Sequence, residues 1–141
     1  MNILIVSQYF WPENFRINDM ARGLVERGNK VTVLTGIPNY PDGSFFPGYG
    51  IFKRNREEYG GVRIVRIPVV PRGRGGALRL IINYISFTAN ACLLAPFLLR
   101  SKFDIIFFSL SPLTEGIPAL VMKKMKKIPV VFWVQDLWPE S

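Results

Sequence analysis

Histidine is absent from all 141 residues of this chain. That single absence excludes Ser-His-Asp and Cys-His catalysis, a histidine general base and histidine-ligated zinc. Cysteine occurs once, at Cys92, so no disulfide can form within the chain and nothing argues for an oxidising compartment. Cys92 lies in an apolar run and reads as a small packed hydrophobe. Phosphate-binding glycines are missing as well. The segment after the first apolar run is Ser7-Gln8-Tyr9-Phe10-Trp11-Pro12-Glu13-Asn14, with no glycine to let the backbone approach a pyrophosphate, and GxxxxGK[ST] occurs nowhere. NAD, FAD and P-loop ATP binding are therefore disfavoured. Glu13 alone does not make the acidic cluster of a phosphoacceptor receiver. A secretory signal is also lacking: no charged segment precedes the apolar residues 1–6, and Glu13, Arg16 and Asp19 follow soon after, so the expected address is the cytoplasm.

What is present is a globular recipe: 49% hydrophobic, 13% aromatic and 20% charged residues, in one domain's length of chain. Residues 2–7 (NILIVS) form a β-branched apolar run of the kind buried on both faces of a parallel sheet. Residues 14–27 follow with helical spacing, Ile17, Met20, Ala21, Leu24 and Val25 sharing a face, and Gly28 stands where a helix C-terminal glycine belongs. Residues 30–35 (KVTVLT) are the next strand, completing a βαβ unit whose crossover is expected to be right-handed. Residues 36–50, rich in Pro and Gly, form a long loop. Residues 62–70 read as a strand opened by a Gly60-Gly61 turn, 72–76 (RGRGG) as a basic connector, and 78–99 as a long apolar helix ending or interrupted near Pro96. A strand at 104–109, a helix at 113–127 with lysines suiting its C-terminal dipole, and a strand at 129–134 complete the alternation. The pattern predicts one α/β domain over 1–141, a Rossmann-like, doubly wound parallel sheet.

Sheets of this class bind ligands beyond the carboxyl ends of their strands. Three segments lead there: 8–14, 36–50 and 135–141. In the first, Asn14 either caps the following helix or, with Arg16, helps that helix's N-terminus face an anionic or hydroxyl-rich ligand. In the last, Asp136 either closes a turn on its own backbone or binds a sugar hydroxyl at the crevice.

The charge is localised. Lys and Arg number 18 and Asp and Glu ten, giving +8 and a pI near 10.0. Residues 53–102 hold ten basic and two acidic residues, hence the whole excess. Within them, 80–99 is uncharged, long enough for a bilayer span. Arg79, Asn83, Ser86 and Asn90, however, fall on one helical stripe. A span, a helix packed on the sheet, and one that also touches a bilayer surface all remain open.

These segments together resemble the N-terminal domain of GT-B-fold glycosyltransferases of family 4, nearest the bacterial O-antigen, capsule and colanic-acid group that includes L-fucosamine transferases. The likeness is carried by NILIVSQYFWPENFRINDMARGLVERGNKVTVLTGIPNYPDG (2–43), DIIFFSLSPLTEGIPAL (104–120) and PVVFWVQDLWPES (129–141). The resemblance implies a retaining transfer of a sugar from a nucleotide-sugar donor, UDP-linked, to a lipid-linked acceptor in surface polysaccharide synthesis. The nucleotide-sugar is a substrate, and neither cofactor nor metal is implied. It also implies that this chain is the acceptor-side half, with the donor-binding C-terminal domain and its E-x7-E glutamates outside it, so that the chain alone is expected to be inactive. The expected substrate-binding residues are Glu13, Asn14, Arg16, Asn39 and Tyr40, and Asp136 is expected at the reacting centre. Arg72, Arg74 and Arg79 are expected to touch an anionic membrane surface, placing the protein peripherally on the inner face of the cell membrane. Two alternatives stand beside this: a non-catalytic interaction subunit pairing with a separate donor domain, and a nucleic-acid binder, which the absence of any recognisable motif disfavours.

Overall fold

A computed structural model describes residues 1–51, 53–109 and 113–133. The chain runs β1 (Asn2–Val6), α1 (Arg16–Glu26), β2 (Lys30–Gly36), β3 (Arg56–Tyr59), β4 (Val62–Ile67), α2 (Ala77–Leu98), β5 (Ile105–Ser109), a 3-10 turn (Leu113–Glu115), α3 (Gly116–Lys126) and β6 (Val130–Trp133). The six strands make one sheet in the order β3-β4-β2-β1-β5-β6. β1 pairs in parallel with β2 and β5, β2 with β4, and β5 with β6. The expected α/β architecture is present, with one addition. β3 (REEY) runs antiparallel to β4, so the sheet is mixed at that edge. Its charged sequence carries no buried-strand signal, as suits an edge strand that must not recruit further pairing. The Gly60-Gly61 turn that joins it to β4 has φ of 57° and 85°, a region where glycine is free of the Cβ clash.

The sheet separates two apolar layers. On one face Ile17 and Ala21 of α1 pack against Ile3, Ile5, Val31, Val33 and Ile64. On the other, Phe87, Ala91 and Ala95 of α2 and Ala119 and Met122 of α3 cover Leu4, Val6, Leu34, Val65 and Ile106. Alternate residues of each strand supply the two faces, which explains why the central strands read as unbroken apolar runs.

The polar stripe of α2 turns inward: Asn83, Ser86 and Asn90 face the segment that follows β4. Asn83 Nδ2 donates to the Val70 carbonyl at 2.7 Å, Ser86 Oγ accepts the Val70 N–H at 2.9 Å, and Asn90 Nδ2 donates to the Pro68 carbonyl at 2.6 Å. The sheet pairing of β4 stops at Ile67, short of the expected Val70, and these side chains satisfy the backbone that the ladder leaves unpaired. The outward face of α2 is instead apolar: Leu78, Ile81, Ile82, Ile85, Leu93 and Phe97 are exposed. α2 is long and apolar enough to cross a membrane by length and composition, yet Phe87, Ala91 and Ala95 on its inner face are fully buried on the sheet.

Candidate functional site

The strand order reverses direction beside β1, between β2 and β5, which is where a doubly wound sheet opens its ligand crevice. The loops leaving β1, β2 and β4 and the 3-10 turn that follows β5 meet there, held by two buried carboxyls. Glu13, 1% exposed, joins the first two. Its Oε1 accepts the Phe10 N–H at 3.3 Å, and its Oε2 accepts the N–H groups of Asn39 at 3.0 Å and Tyr40 at 2.8 Å. Burial pushes this carboxyl up to about 7, with the three N–H donors and the Arg66 charge opposing the shift. Glu115, on the 3-10 turn after β5, is fully buried. Its Oε1 accepts the Gln8 N–H at 2.7 Å, joining the β1 and β5 loops across the switch point. Burial lifts it well above the usual carboxylate range, only the Gln8 N–H acting against that. Its Oε2 and the Oε1 of Gln8 are both buried and have no partner among the described residues.

A polar relay ties α2 to this point. Gln8 Nε2 donates to Asn83 Oδ1 at 2.7 Å, and the Tyr9 hydroxyl donates to the same oxygen at 3.1 Å. Arg72 donates from Nη1 to the Tyr9 hydroxyl oxygen at 2.7 Å. Its guanidinium lies 4.9 Å from the Tyr40 ring centroid and 5.5 Å from that of Tyr9. Tyr9 stacks on Phe15 at 5.2 Å, and Phe15 meets Tyr40 at 5.1 Å. The result is an aromatic cluster with one cation fixed over it, open to solvent at Tyr40, which is 36% exposed. Ring faces and a guanidinium so arranged favour a ligand with both an apolar face and an anionic or hydroxyl group. Arg66 completes the support: it is buried, bonds the carbonyls of Gly36 and Trp11, and pairs with Glu57 at 2.7 Å.

Beside the cluster a cavity of about 490 Å³ opens between residues 41–42 and 72–76 and reaches Leu80 of α2. A second hollow, about 430 Å³, lies at the other end of the sheet among Asn2, Lys30, Arg63 and Lys102, away from the crevice. Among the described residues no group of three or more acidic or cysteine side chains is placed to hold a metal ion.

The expected site residues divide by exposure. Asn14 and Arg16 are exposed at the start of α1. Asn14 does not cap it, because Phe15 occupies the N-cap and no side chain bonds there. Asn39 is buried and its amide is engaged within the protein, Nδ2 donating to the Ile37 carbonyl and Oδ1 accepting the Arg72 N–H. Glu13 and Asn39 thus brace the loops, while Tyr40 presents its ring. Arg72 turns inward over the aromatic cluster; Arg74 is exposed, and Arg79, also exposed, donates to the Pro71 carbonyl at 2.9 Å. Asp136 lies outside the described residues. Gln8, Arg66, Asn83 and Glu115 were not anticipated. Glu115 had a usable signal, since the segment after β5 leads to the same crevice as those after β1 and β2. Asn83 had none, because helical periodicity does not say which stripe meets the sheet.

Known proteins share this fold to different depths. The C-terminal domain of a hydrogenase from Pyrococcus furiosus superposes with a TM-score of 0.61 at 20% identity, over 93% of this chain and 89% of that domain. The calicheamicin glycosyltransferase superposes with a TM-score of 0.52 at 13% identity, over 93% of this chain and 32% of its own, so this chain spans about a third of that enzyme. At such identities the likeness is one of fold, and a widely used fold carries unrelated activities. No curated protein matches the sequence significantly. A sequence model of the glycosyl transferase 4-like domain, by contrast, matches residues 14–141. Since that match spans the elements from α1 onward and the loops carrying Tyr40, Arg72 and Glu115, the chain belongs to the glycosyl transferase 4-like domain family.

Proposed function

We propose that this chain is the acceptor-side half of a retaining glycosyltransferase that moves a sugar from a UDP-linked donor to a lipid-linked acceptor in surface polysaccharide synthesis. The observation that carries the reading is the open aromatic cluster of Tyr9, Phe15 and Tyr40 under Arg72, at the switch point of a glycosyltransferase-family domain. Ring faces suit the apolar side of a sugar, and the guanidinium suits a phosphate or hydroxyl. Asn14 and Arg16 stand exposed at the α1 N-terminus, available to the acceptor or to donor phosphates. The donor nucleotide is held mainly by a second domain, with the reacting groups brought together between the two, and Asp136 is our candidate at that centre. The apolar outer face of α2, with Arg74 and Arg79 at its start, lies on an anionic membrane where a lipid-linked acceptor resides.

Transfer assays with UDP-sugars and lipid-linked acceptors, on the enzyme with its donor domain present, test this. Tyr40→Ala should raise the acceptor KM about tenfold and leave the donor KM unchanged; an effect on the donor KM alone would overturn the acceptor-side assignment. The 141-residue chain by itself should turn over no UDP-sugar, and turnover by the pure chain would sink the half-enzyme reading.

A further inference from the structure

The buried network behind the aromatic cluster is short of one hydrogen, and the shortage falls at Glu115. The orientation of each amide in that network follows from its neighbours. Asn83 must turn its NH2 toward the Val70 carbonyl, which it meets at 2.7 Å. Its Oδ1 is therefore left to accept. The Tyr9 hydroxyl supplies one donor at 3.1 Å, and Gln8 supplies the other from Nε2 at 2.7 Å. That contact fixes Gln8 in turn: its NH2 is committed to Asn83, and its Oε1 needs a donor from elsewhere. Gln8 is 2% exposed and Asn83 fully buried, so solvent does not supply one.

Glu115 is bonded to the same residue. Its Oε1 accepts the Gln8 N–H at 2.7 Å. Its Oε2 is buried and, like Gln8 Oε1, has no partner among the described residues. Two acceptors are thus left over on two residues already joined by a hydrogen bond. Thr114 Oγ1, next in the chain and also buried, bonds neither of them. Nothing charged offsets a carboxylate at this place. The 3-10 turn packs against β5, α2 and α3. Neither β1 nor β5 carries an ionisable side chain, α2 carries Arg79, Tyr84 and Cys92, and α3 carries Lys123, Lys124 and Lys126 in its last turn. The loop after β1 contributes Tyr9 and Glu13, and Glu13 is bonded to the N–H groups of Phe10, Asn39 and Tyr40 instead. Burial lifts the Glu115 carboxyl well above the usual range, and the one group acting against that is the Gln8 N–H.

A single proton on Oε2 resolves both unmet acceptors. The carboxyl then accepts through Oε1 and donates through Oε2, and Gln8 Oε1 receives that donor. We propose that Glu115 is a positioning residue: it holds a proton at neutral pH, donates it in a hydrogen bond to Gln8 Oε1, and so sets the amide orientation through which Gln8 and Asn83 fix Tyr9 and Arg72 at the crevice. The ionised state shows what the proton does. A carboxylate at Oε2 attracts the NH2 of Gln8. The amide turns over, its Oε1 meets Asn83 Oδ1, and two acceptors face each other in a buried place. Asn83 loses a donor, and the Tyr9 hydroxyl, which accepts from Arg72 at 2.7 Å, loses a fixed partner. The proton on Glu115 thus orients Arg72 without either Glu115 or Gln8 touching a ligand. This rests on the acceptor-side reading above only in taking Arg72 as a ligand-facing group.

Gln8 and Gln135 are the only glutamines of the chain, so selective nitrogen-15 labelling of glutamine reports two side-chain amides, and the signal lost in Gln135→Asn assigns the other to Gln8. In the 141-residue chain the Gln8 amide should hold one position from pH 5 to pH 8, apart from any step that Glu13 adds near 7. Glu115→Gln, whose new NH2 replaces the proposed donor, should leave it there; Glu115→Leu, which donates nothing, should move it. Infrared difference spectra of wild type against Glu115→Gln at pH 8, above the Glu13 midpoint, should show the carbonyl band of a protonated carboxylic acid in the wild type alone. Absence of that band, or equal displacement of the Gln8 amide in the Gln and Leu variants, overturns the proposal, and the infrared arm decides even if Glu115→Leu does not fold. In the enzyme with its donor domain present, Glu115→Leu should raise the acceptor KM about tenfold with kcat little changed, and Glu115→Gln should rescue it. An unchanged acceptor KM in a folded Glu115→Leu variant would overturn the positioning role. Absence of any transfer would instead overturn the enzymatic reading, while the infrared band and the Gln8 amide still decide where the proton lies.

Discussion

Glu13 and Glu115 are the same residue type in the same crevice, yet each demands a different replacement. Both oxygens of Glu13 accept backbone N–H groups. An amide nitrogen accepts nothing, so Glu13→Gln leaves at least one N–H facing a donor, and a buried donor without an acceptor costs about 1–3 kcal/mol. Glu115 accepts through Oε1 alone while its Oε2 has no partner among the described residues, so Glu115→Gln should cost less than about 1 kcal/mol. Urea midpoints at pH 6 will separate the two, and equal losses would refute the asymmetry. The pH dependence follows from the same burial. Glu13 titrates near 7 in the folded chain against an ordinary 4.5. The folded state therefore binds more protons than the unfolded state between those values. Its stabilising contribution is complete below about 4.5 and is lost as pH rises through about 7, with Glu115 acting in the same direction. Stability measured from pH 5 to pH 8 should fall, and Glu115→Gln should flatten the decline. A rise across that window would contradict the burial argument.

At the scale of elements, α2 holds its polar side chains inward and its apolar ones outward. Asn83 is fully buried and serves Val70, Gln8 and Tyr9. Asn83→Leu should cost about 1–3 kcal/mol, since three groups lose a partner, while Leu93→Asp on the exposed face should stay within about 0.5 kcal/mol. Thermal denaturation of the two variants checks this, and the reverse ranking would mean that α2 is rotated. Hydropathy alone ranks them the other way, which marks where sequence reasoning stops. Residues 2–7 and 104–109 were legible as strands because a buried parallel strand is apolar on both sides. The stripe on α2 was legible as a stripe, but its direction depends on Pro68 and Val70 carrying backbone groups outside the ladder, a tertiary fact. β3 was missed because REEY is the opposite of a buried strand. The loops after β1 and β2 were found from topology, but the role of Glu13 as a clasp required knowing that the two loops touch.

For the whole molecule, the +8 charge is not a uniform coat. Arg66 is spent inside the protein on Glu57 and two carbonyls, and Arg72 lies over Tyr9 and Tyr40. Arg63 is exposed at the amino ends of the strands, where it lines the hollow with Lys30 and Lys102. Arg79 instead sits in the first turn of α2, next to its exposed apolar face. Bulk attraction to an anionic surface would treat these two cations alike; a membrane-facing α2 would not. Vesicles containing phosphatidylglycerol should retain the chain, and phosphatidylcholine vesicles should not, because basic side chains beside an apolar face gain about 1 kcal/mol each near an anionic leaflet. Arg79→Glu and Arg63→Glu change the net charge equally. Arg79→Glu should reduce retention about fivefold to tenfold in co-sedimentation at physiological ionic strength, and Arg63→Glu should leave it unchanged. Retention should weaken as added salt shortens the screening length, while Phe97→Asp should weaken it even at low salt by removing apolar contact. Equal losses for the two arginine variants, or equal retention on both kinds of vesicle, would show that the charge acts as a whole and that α2 has no membrane side.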